Sequence, residues 1–437
     1  MVGAGTTVTD AVLADTLGRR GGSRVTSDLG AALFDEAFDG IPEAGRSQLA
    51  LSVHEDFAAL EGEWRRFQDE AACTVFQTFE WLSAWQRHLG ARAGVRPAIV
   101  TGRGADGQLS FLFPLAVERR GLVRRLTWLG RDLCDYNAPL LAPDFSQRVA
   151  SGQFPALWRE VRAALQSRTR LRHDTVELDK MPETIGGQPN PFLQLAVDLN
   201  PSGAYSTALA GDWEAFYGAK RSASTRRRDR TKLNRLTQHG EVRFVSAGSP
   251  GEGAATLDTL ISQKSRAFAR MGVPNIFAPP GRRDFYLDLA TAPEMRHLVH
   301  VSELLVGDAR ACTNLGLIFR GCYYHVLASH DGGELSAFSP GAAHLRELLR
   351  HAIGLGLGRF DFTIGDEPYK REWSDTELAL YDHASAATLR GWPASGLAAL
   401  RRRVKRAIKQ NPALWLRVTR ARAGAAALLA FLPGRRS

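Results

Sequence analysis

Between Ser336 and Trp373 the chain gathers residues that could do chemistry: SAFSPGAAHLRELLRHAIGLGLGRFDFTIGDEPYKREW. Ser339, Pro340, Gly341 and Ala342 open a helical pattern. The unpaired N–H groups of a helix's first turn favour an anion such as a phosphate. Asp361 alternates with Phe360 and Phe362 on a short apolar run, where a carboxylate needs a partner. Asp366, Glu367, Tyr369 and Lys370 then cluster at the end of that run. Ligands of α/β sheets sit outside the carboxyl ends of strands. A phosphate-bearing ligand beside a polar acceptor pocket is the reading these residues support together.

Each residue also has an ordinary structural role. Ser and Pro are common at helix starts. Asp361 could sit in an ion pair as readily as it could transfer a proton. Lys370 could lock the loop by a salt bridge to Asp361 or Asp366, and Trp373 could be core or a platform for a sugar ring. On the helix, Leu345, Leu348, Leu349, Ala352 and Ile353 form the inward stripe. That leaves His344, Arg346, Arg350 and His351 for a solvated face, with Arg350 as a candidate phosphate contact.

The elements that must position these groups are legible upstream. Val299–Val306, Ala311–Phe319 and Cys322–His330 read as three strands with turns at Gly307-Asp308 and Arg320-Gly321. Period-two alternation puts Tyr324 and His330 on one face of the third strand, and His325 and Ser329 on the other. A helix over 340–357 and a strand over Arg359–Ile364 complete a β, β, β, α, β order whose last unit is a parallel crossover. The first half shows a similar plan. Helical patterns surround Phe57–Phe67 and Thr78–Leu89. A hairpin joins Arg96–Thr101 to Leu109–Glu118, a strand follows at Leu126–Gly130, and Phe154–Leu165 and Asp174–Leu178 read as helix and strand. Met181–Pro191 reads as an exposed connection. Helices are expected from Trp213 and over Leu257–Met271.

The formal net charge is +10, but eleven Lys or Arg and no acid lie from Arg401 onward, so the remaining body is near −1. That argues against DNA as a partner of the whole protein. A second basic stretch, Lys220–Arg235, has Asp229 as its only acid. It has few aromatics to stack on bases. Four scattered cysteines without CxxC spacing show neither a disulfide framework nor a zinc site and suit a reducing compartment. No signal-peptide pattern is expected at the start. No run of about 18 apolar residues, the length of a membrane-spanning helix, is present. Met1–Arg46 reads as disordered, with one frayed helix near Leu29–Phe38. From Leu397 a basic helical tail, broken near Asn411-Pro412, carries apolar residues that could rest on an anionic membrane surface.

The β, β, β, α, β order resembles the GNAT N-acyltransferase fold. SPGAAHL, RFDFTIGDEPYKREW and the basic KRSASTRRRDRTKLNRLTQHGEVRF resemble the cellulose-biosynthesis (CelD-like) acetyltransferase family, a relative of the Fem-type peptidyltransferases. TFEWLSAW and WLGRDLCDYNAPLL look like that family's first domain. The resemblance implies a mixed α/β, tandem GNAT-like double domain. Its parts would be a disordered segment 1–46, a degenerate domain 47–195, an acyltransferase domain 196–393 and the tail 394–437. It also implies an acyl-CoA donor, acetyl-CoA foremost, held without a metal at Ser339–Ala342, although this loop lacks the basic residue and paired glycines that GNAT loops usually carry. Direct attack of an amine or hydroxyl on a thioester needs a base and a donor for the departing thiolate. Glu367 or Asp366 would be the base, with Asp361 orienting a basic residue or moving a proton, and Tyr369 or Tyr324 the donor. Tyr324, Lys370, Trp373, Arg226, Arg227 and Tyr136 would face the acceptor, with Lys370 holding an acceptor phosphate or polarising the transferred acyl group. The implied acceptor is a saccharide, nucleotide-sugar or lipid-linked precursor in exopolysaccharide or envelope synthesis, in the cytoplasm or at the inner face of its membrane. Aminoacyl transfer from tRNA and a non-catalytic accessory role at the membrane are the alternatives.

Overall fold

A computed structural model describes residues 49–410. The segment expected to be disordered, and the tail beyond Gln410, lie outside these residues. The first half contributes strands β1 (Ala50–His54), β2 (Arg96–Arg103), β3 (Leu109–Arg120), β4 (Val123–Trp128) and β5 (Thr175–Pro182). Helices α1 (Glu61–Glu70), α2 (Phe79–Trp85) and α3 (Phe154–Gln166) accompany them. β3 is buried from Leu109 to Glu118 because both of its faces are covered, hence its nearly continuous apolar run. On α3, Phe154, Leu157, Trp158, Val161 and Leu165 recur every three or four residues. They pack against Leu126, Trp128, Val176 and Leu178 of the sheet. α3 is thus the crossover that makes β4 and β5 parallel neighbours.

The chain then continues through β6 (Val197–Leu199) and β7 (Ala204–Ala208), α4 (Trp213–Lys220), α5 (Ala223–Thr237), β8 (Val242–Ser246), α6 (Pro250–Met271) and α7 (Arg282–Thr291). The meander follows as β9 (Val299–Val306), β10 (Ala309–Phe319) and β11 (Cys322–His330). Next come α8 (Pro340–Gly354), β12 (Arg359–Ile364), α9 (Pro368–Trp373), β13 (Thr376–Leu378), β14 (Leu380–Ala386) and α10 (Trp392–Gln410). The β10–β11 turn is a two-residue loop in which Arg320 and Gly321 both have positive φ, the geometry that matches strand twist in a tight hairpin. α6 starts where Ser249 accepts from the Glu252 N–H ahead of Pro250, and stops at Gly272 in the left-handed conformation. α8 makes β11 and β12 parallel, as α3 does for β4 and β5.

Two sheets result. One runs β1-β2-β3-β4-β5-β14-β6, with the two-residue strand Leu140–Leu141 also on β3; the other runs β8-β9-β10-β11-β12-β7-β13. The mixed α/β, tandem arrangement expected from the sequence is present. The chain crosses between the sheets at β6–β7 and again at β13–β14, so Leu380–Ala386 completes the sheet of the first half. Met181–Pro191 is exposed only in part: Glu183, Thr184, Gly186, Gly187 and Pro189 are, but Met181 near the end of β5 and Ile185 are buried, and Phe192 just beyond packs on Trp128, Phe154 and Trp158. Polar and turn residues there had masked three apolar anchors.

Because β14 pairs along most of β5, a fragment comprising residues 47–195 should fail to fold alone. Its far-ultraviolet circular dichroism and size-exclusion profile should be those of an unfolded or aggregated chain. A monomeric, cooperatively melting fragment would contradict the two-crossing architecture.

Candidate active site

β11 and β12 pair at three positions only, Cys322↔Arg359, Tyr323↔Phe360 and Tyr324↔Asp361. β11 is bulged at this point: Gly316 of β10 faces His325, while Leu315 faces Leu327, leaving Val326 over. Such a bulge bends its strand. On the other side Thr363 and Gly365 have positive φ. A side chain on Gly365 would collide with Glu367 and Lys370. The two strands therefore part beyond Tyr324 and Asp361. The bulge also reverses the expected alternation. Ser329 lies on the α6 face with Tyr324, bonded to Gln263 at 2.8 Å. His330 faces the start of α8, where a methyl on Gly341 would be 4.0 Å from its Nδ1.

Asp361 stands at the point of parting. It is 8% exposed. It accepts from Tyr136 OH at 2.7 Å and from the Thr363 N–H at 2.7 Å. Burial pushes its carboxyl up to about 6, against the pull of those two donors. Tyr136 belongs to the other half of the chain. Its neighbour Asp135 stands beside Thr363, and burial raises its carboxyl too. Sequence reasoning singled out Tyr136 and passed over Asp135, because nothing local shows that this segment reaches across to β12. Asp361, Tyr136 and Tyr324 line a cavity of about 1050 Å³ between the halves, together with Cys73, Thr74, Tyr205, Arg320 and Arg359. Tyr324 packs edge-on to Phe76, which also holds Tyr136. Burial raises both phenols well above their ordinary value.

The gap between the strand ends holds two ammonium groups. Lys370 Nζ donates to Ile364 O at 2.7 Å, and Glu367 is its carboxylate partner at 3.2 Å. Asp361, one of the partners read from sequence, is instead bonded to Tyr136 and Thr363. Lys264 of α6 donates to Ala328 O at 3.0 Å. It was not singled out, since a lysine on an amphipathic helix looks like any solvated one. His325 sits between them and stays neutral, pushed down to about 3 by burial and the adjacent ammonium groups. Tyr369 is edge-on to His325 and Phe362, its phenol raised by burial and by Glu367. Asp366 and Glu367 are exposed on the loop before α9.

At the other end, Ser339 takes a left-handed conformation (φ 56°) and its side chain does not cap α8. Its Oγ instead accepts from Lys232 Nζ of α5 at 3.0 Å. A lysine of the basic helix thus lies beside a turn whose own sequence has no basic residue. Pro340 is buried, whereas Gly341 and Ala342 are exposed. Arg350 is not part of this turn: it pairs with Glu347 and covers Trp213 near the far end of α8. His344 and Arg346 are not a solvated face either. His344 is buried near Ser302 and Phe244, and Arg346 reaches Asp229 of α5 at 3.5 Å. Arg227 is exposed and Arg226 partly covered; Lys220 and Arg221 are paired with Asp375 and Glu372. Trp373 is core, stacked on Phe216 and Tyr217 with Arg221 over its ring, and so presents no platform to a sugar.

Residues 223–371, from α5 into α9, match the family model described as an acetyltransferase (GNAT) domain. Among solved structures, FemX is similar over 73% of this chain and 95% of its own, at 10% identity and a TM-score of 0.51. A conserved protein of unknown function from Bacteroides thetaiotaomicron is similar over 77% of this chain and 100% of its own, at 12% identity and a TM-score of 0.49. No curated protein matches the sequence. The likeness to FemX shows a shared fold. The chain carries a GNAT-type acetyltransferase domain and is an acyltransferase by class.

The raised carboxyl of Asp361 has a stability signature. Between the unfolded value of 3.8 and the folded value of about 6, the native state keeps a proton that the unfolded state has lost. Its stabilising effect is complete below that window and disappears as pH rises through it. Asp361→Asn keeps an acceptor for Tyr136 and should flatten the fall of Tm between pH 4 and pH 6. An unchanged slope would show that this carboxyl does not titrate there.

Proposed function

We propose that the protein transfers an acyl group, acetyl foremost, from acyl-CoA to an amine or hydroxyl of a sugar or saccharide precursor. One observation carries the reading. β11 and β12 part at Asp361, which faces the inter-domain cavity, while the first turn of α8 and Lys232 stand beyond the open end of the same gap. A phosphate group at that helix start would meet open N–H groups and a lysine. An acyl arm could then lie between the strand ends, in place of the missing ladder, with the acceptor entering from the cavity.

In this reading Asp361 takes the proton of the attacking amine or hydroxyl as the new bond to the acyl carbon forms. A carboxyl poised near 6 suits that task. Tyr136 orients it from the other half. The bond to sulfur breaks as Tyr369, whose phenol keeps its proton, donates a hydrogen bond to the departing thiolate, which then takes its proton from solvent. Lys370 holds the end of β12 rather than touching the reacting atoms. A cavity lined by Arg320, Arg359, Tyr205, Ser206 and Thr74 favours a polar, hydroxylated acceptor. The resemblance to the CelD-like family supports exopolysaccharide or envelope synthesis as the setting, and a CoA donor supports the cytoplasm. Aminoacyl transfer from tRNA is the second reading, favoured by the exposed arginines of α5 beside the α8 start. It requires tRNA affinity that falls steeply with salt.

Calorimetric titration with acetyl-CoA should give saturable binding, lost in Gly341→Trp and weakened by about tenfold or more in Lys232→Glu. No binding to the folded wild type would move the donor to tRNA or remove the catalytic reading. Asp361→Asn should lower kcat by about 10²–10⁴. Tyr136→Phe should shift the ascending limb of the pH–rate profile upward, because its hydrogen bond holds the Asp361 carboxyl down. A profile unmoved by Tyr136→Phe would place the base elsewhere.

A further inference from the structure

The outer surface of the first half bears an apolar patch that acyl transfer does not use. α10 lies on β5 and β14, with its own Ser395 on the buried side and Arg401 and Arg402 lining the polar cavity that Asp382 also lines. An amphipathic helix in a water-soluble body turns its apolar stripe inward. Here the stripe points away: Leu397, Leu400 and Val404, spaced three and four apart, are all exposed, Leu400 by 58%. At 3.6 residues per turn these three fall within an arc of about 60°, with Arg403 and Arg401 on either side of it.

Three more large apolar side chains are exposed around the start of this helix. Trp392 begins α10 exposed, Leu389 just before it is 80% exposed, and Leu122 on the β3–β4 turn is 76% exposed. Arg390 Nη2 donates to Leu122 O at 2.7 Å, which sets the two segments side by side. These six residues are most of the large apolar side chains exposed among the described residues. Exposed arginines rim them: Arg119 beside Leu122, and Arg401 and Arg403 along the stripe. From Arg401 onward the sequence holds eleven Lys or Arg and no acid.

We propose that this face seats the protein on an anionic lipid surface, its apolar side chains entering the headgroup boundary and its arginines meeting lipid phosphates. Charge complementarity selects this occupant: a second copy would bring the same arginines against these. Among the described residues no helix is long and apolar enough to cross a membrane, so the contact proposed is in-plane. The inference does not rest on the acyl-transfer reading.

The test is co-sedimentation of the full chain with phosphatidylcholine vesicles, with and without phosphatidylglycerol. Binding should require the anionic lipid and weaken with added salt. The variant Leu397→Glu/Leu400→Glu/Val404→Glu should bind about tenfold or more weakly while keeping its circular dichroism spectrum, since all three side chains are already in water. The proposal is overturned if the wild type stays in the supernatant at low salt, or if the triple variant binds as tightly as the wild type. It is also overturned if sedimentation velocity without lipid shows a dimer that the triple variant dissolves, which would assign the face to a second copy.

Discussion

The parting of two parallel strands at Tyr324 and Asp361 is the constraint on which the site depends. A sheet that gives up its ladder leaves polar backbone that must find other partners. Here Lys370 takes the carbonyl of Ile364, Lys264 takes that of Ala328, and Thr363 Oγ1 donates to the carbonyl of His325. The bulge at Val326 and the left-handed Thr363 hold the strands apart from either side. Two buried ammonium groups and a neutral histidine then occupy a gap that would otherwise close into sheet.

The same parting point joins the halves. Tyr136, from a loop of the first half, bonds Asp361 of the second, and its neighbour Asp135 stands beside Thr363. Neither half alone makes this carboxylate environment. The sheets are also stitched covalently, since the chain passes from one to the other twice, at β6–β7 and at β13–β14. A cavity between halves so coupled keeps its shape, as an acceptor site must if it is to hold a reactive orientation.

Much of the fold was legible. The meander, its crossover helix and the strand at Arg359–Ile364 carry clear periodicity, and β12 has the bounds expected of it. The strand Ala204–Ala208 and the helix Arg282–Thr291 were passed over, because flanking glycine, serine and charged residues dilute their apolar signal. Of the candidate site, the Ser339 turn, Asp361 and the Tyr369-Lys370 pair were visible as residue types. Their partners were not: Lys232 and Lys264 sit on helices whose sequences read as solvated, and Trp373 was ambiguous until its stacking on Phe216 and Tyr217 showed it to be core.

What the sequence determined by itself is local: which segments alternate, where helices begin and end, and which polar residues lie on apolar runs and so need partners. These follow from periods of two and 3.6 and from capping and turn chemistry, all of which act within a few residues. Only the tertiary structure decided which partner each buried charge received. It chose Tyr136 for Asp361 and Asp229 for Arg346, and it turned Leu397, Leu400 and Val404 outward. Those choices depend on the bulge that reverses one strand's faces and on the two crossings between sheets. Contacts between residues a hundred or more positions apart leave no mark on the spacing of either segment.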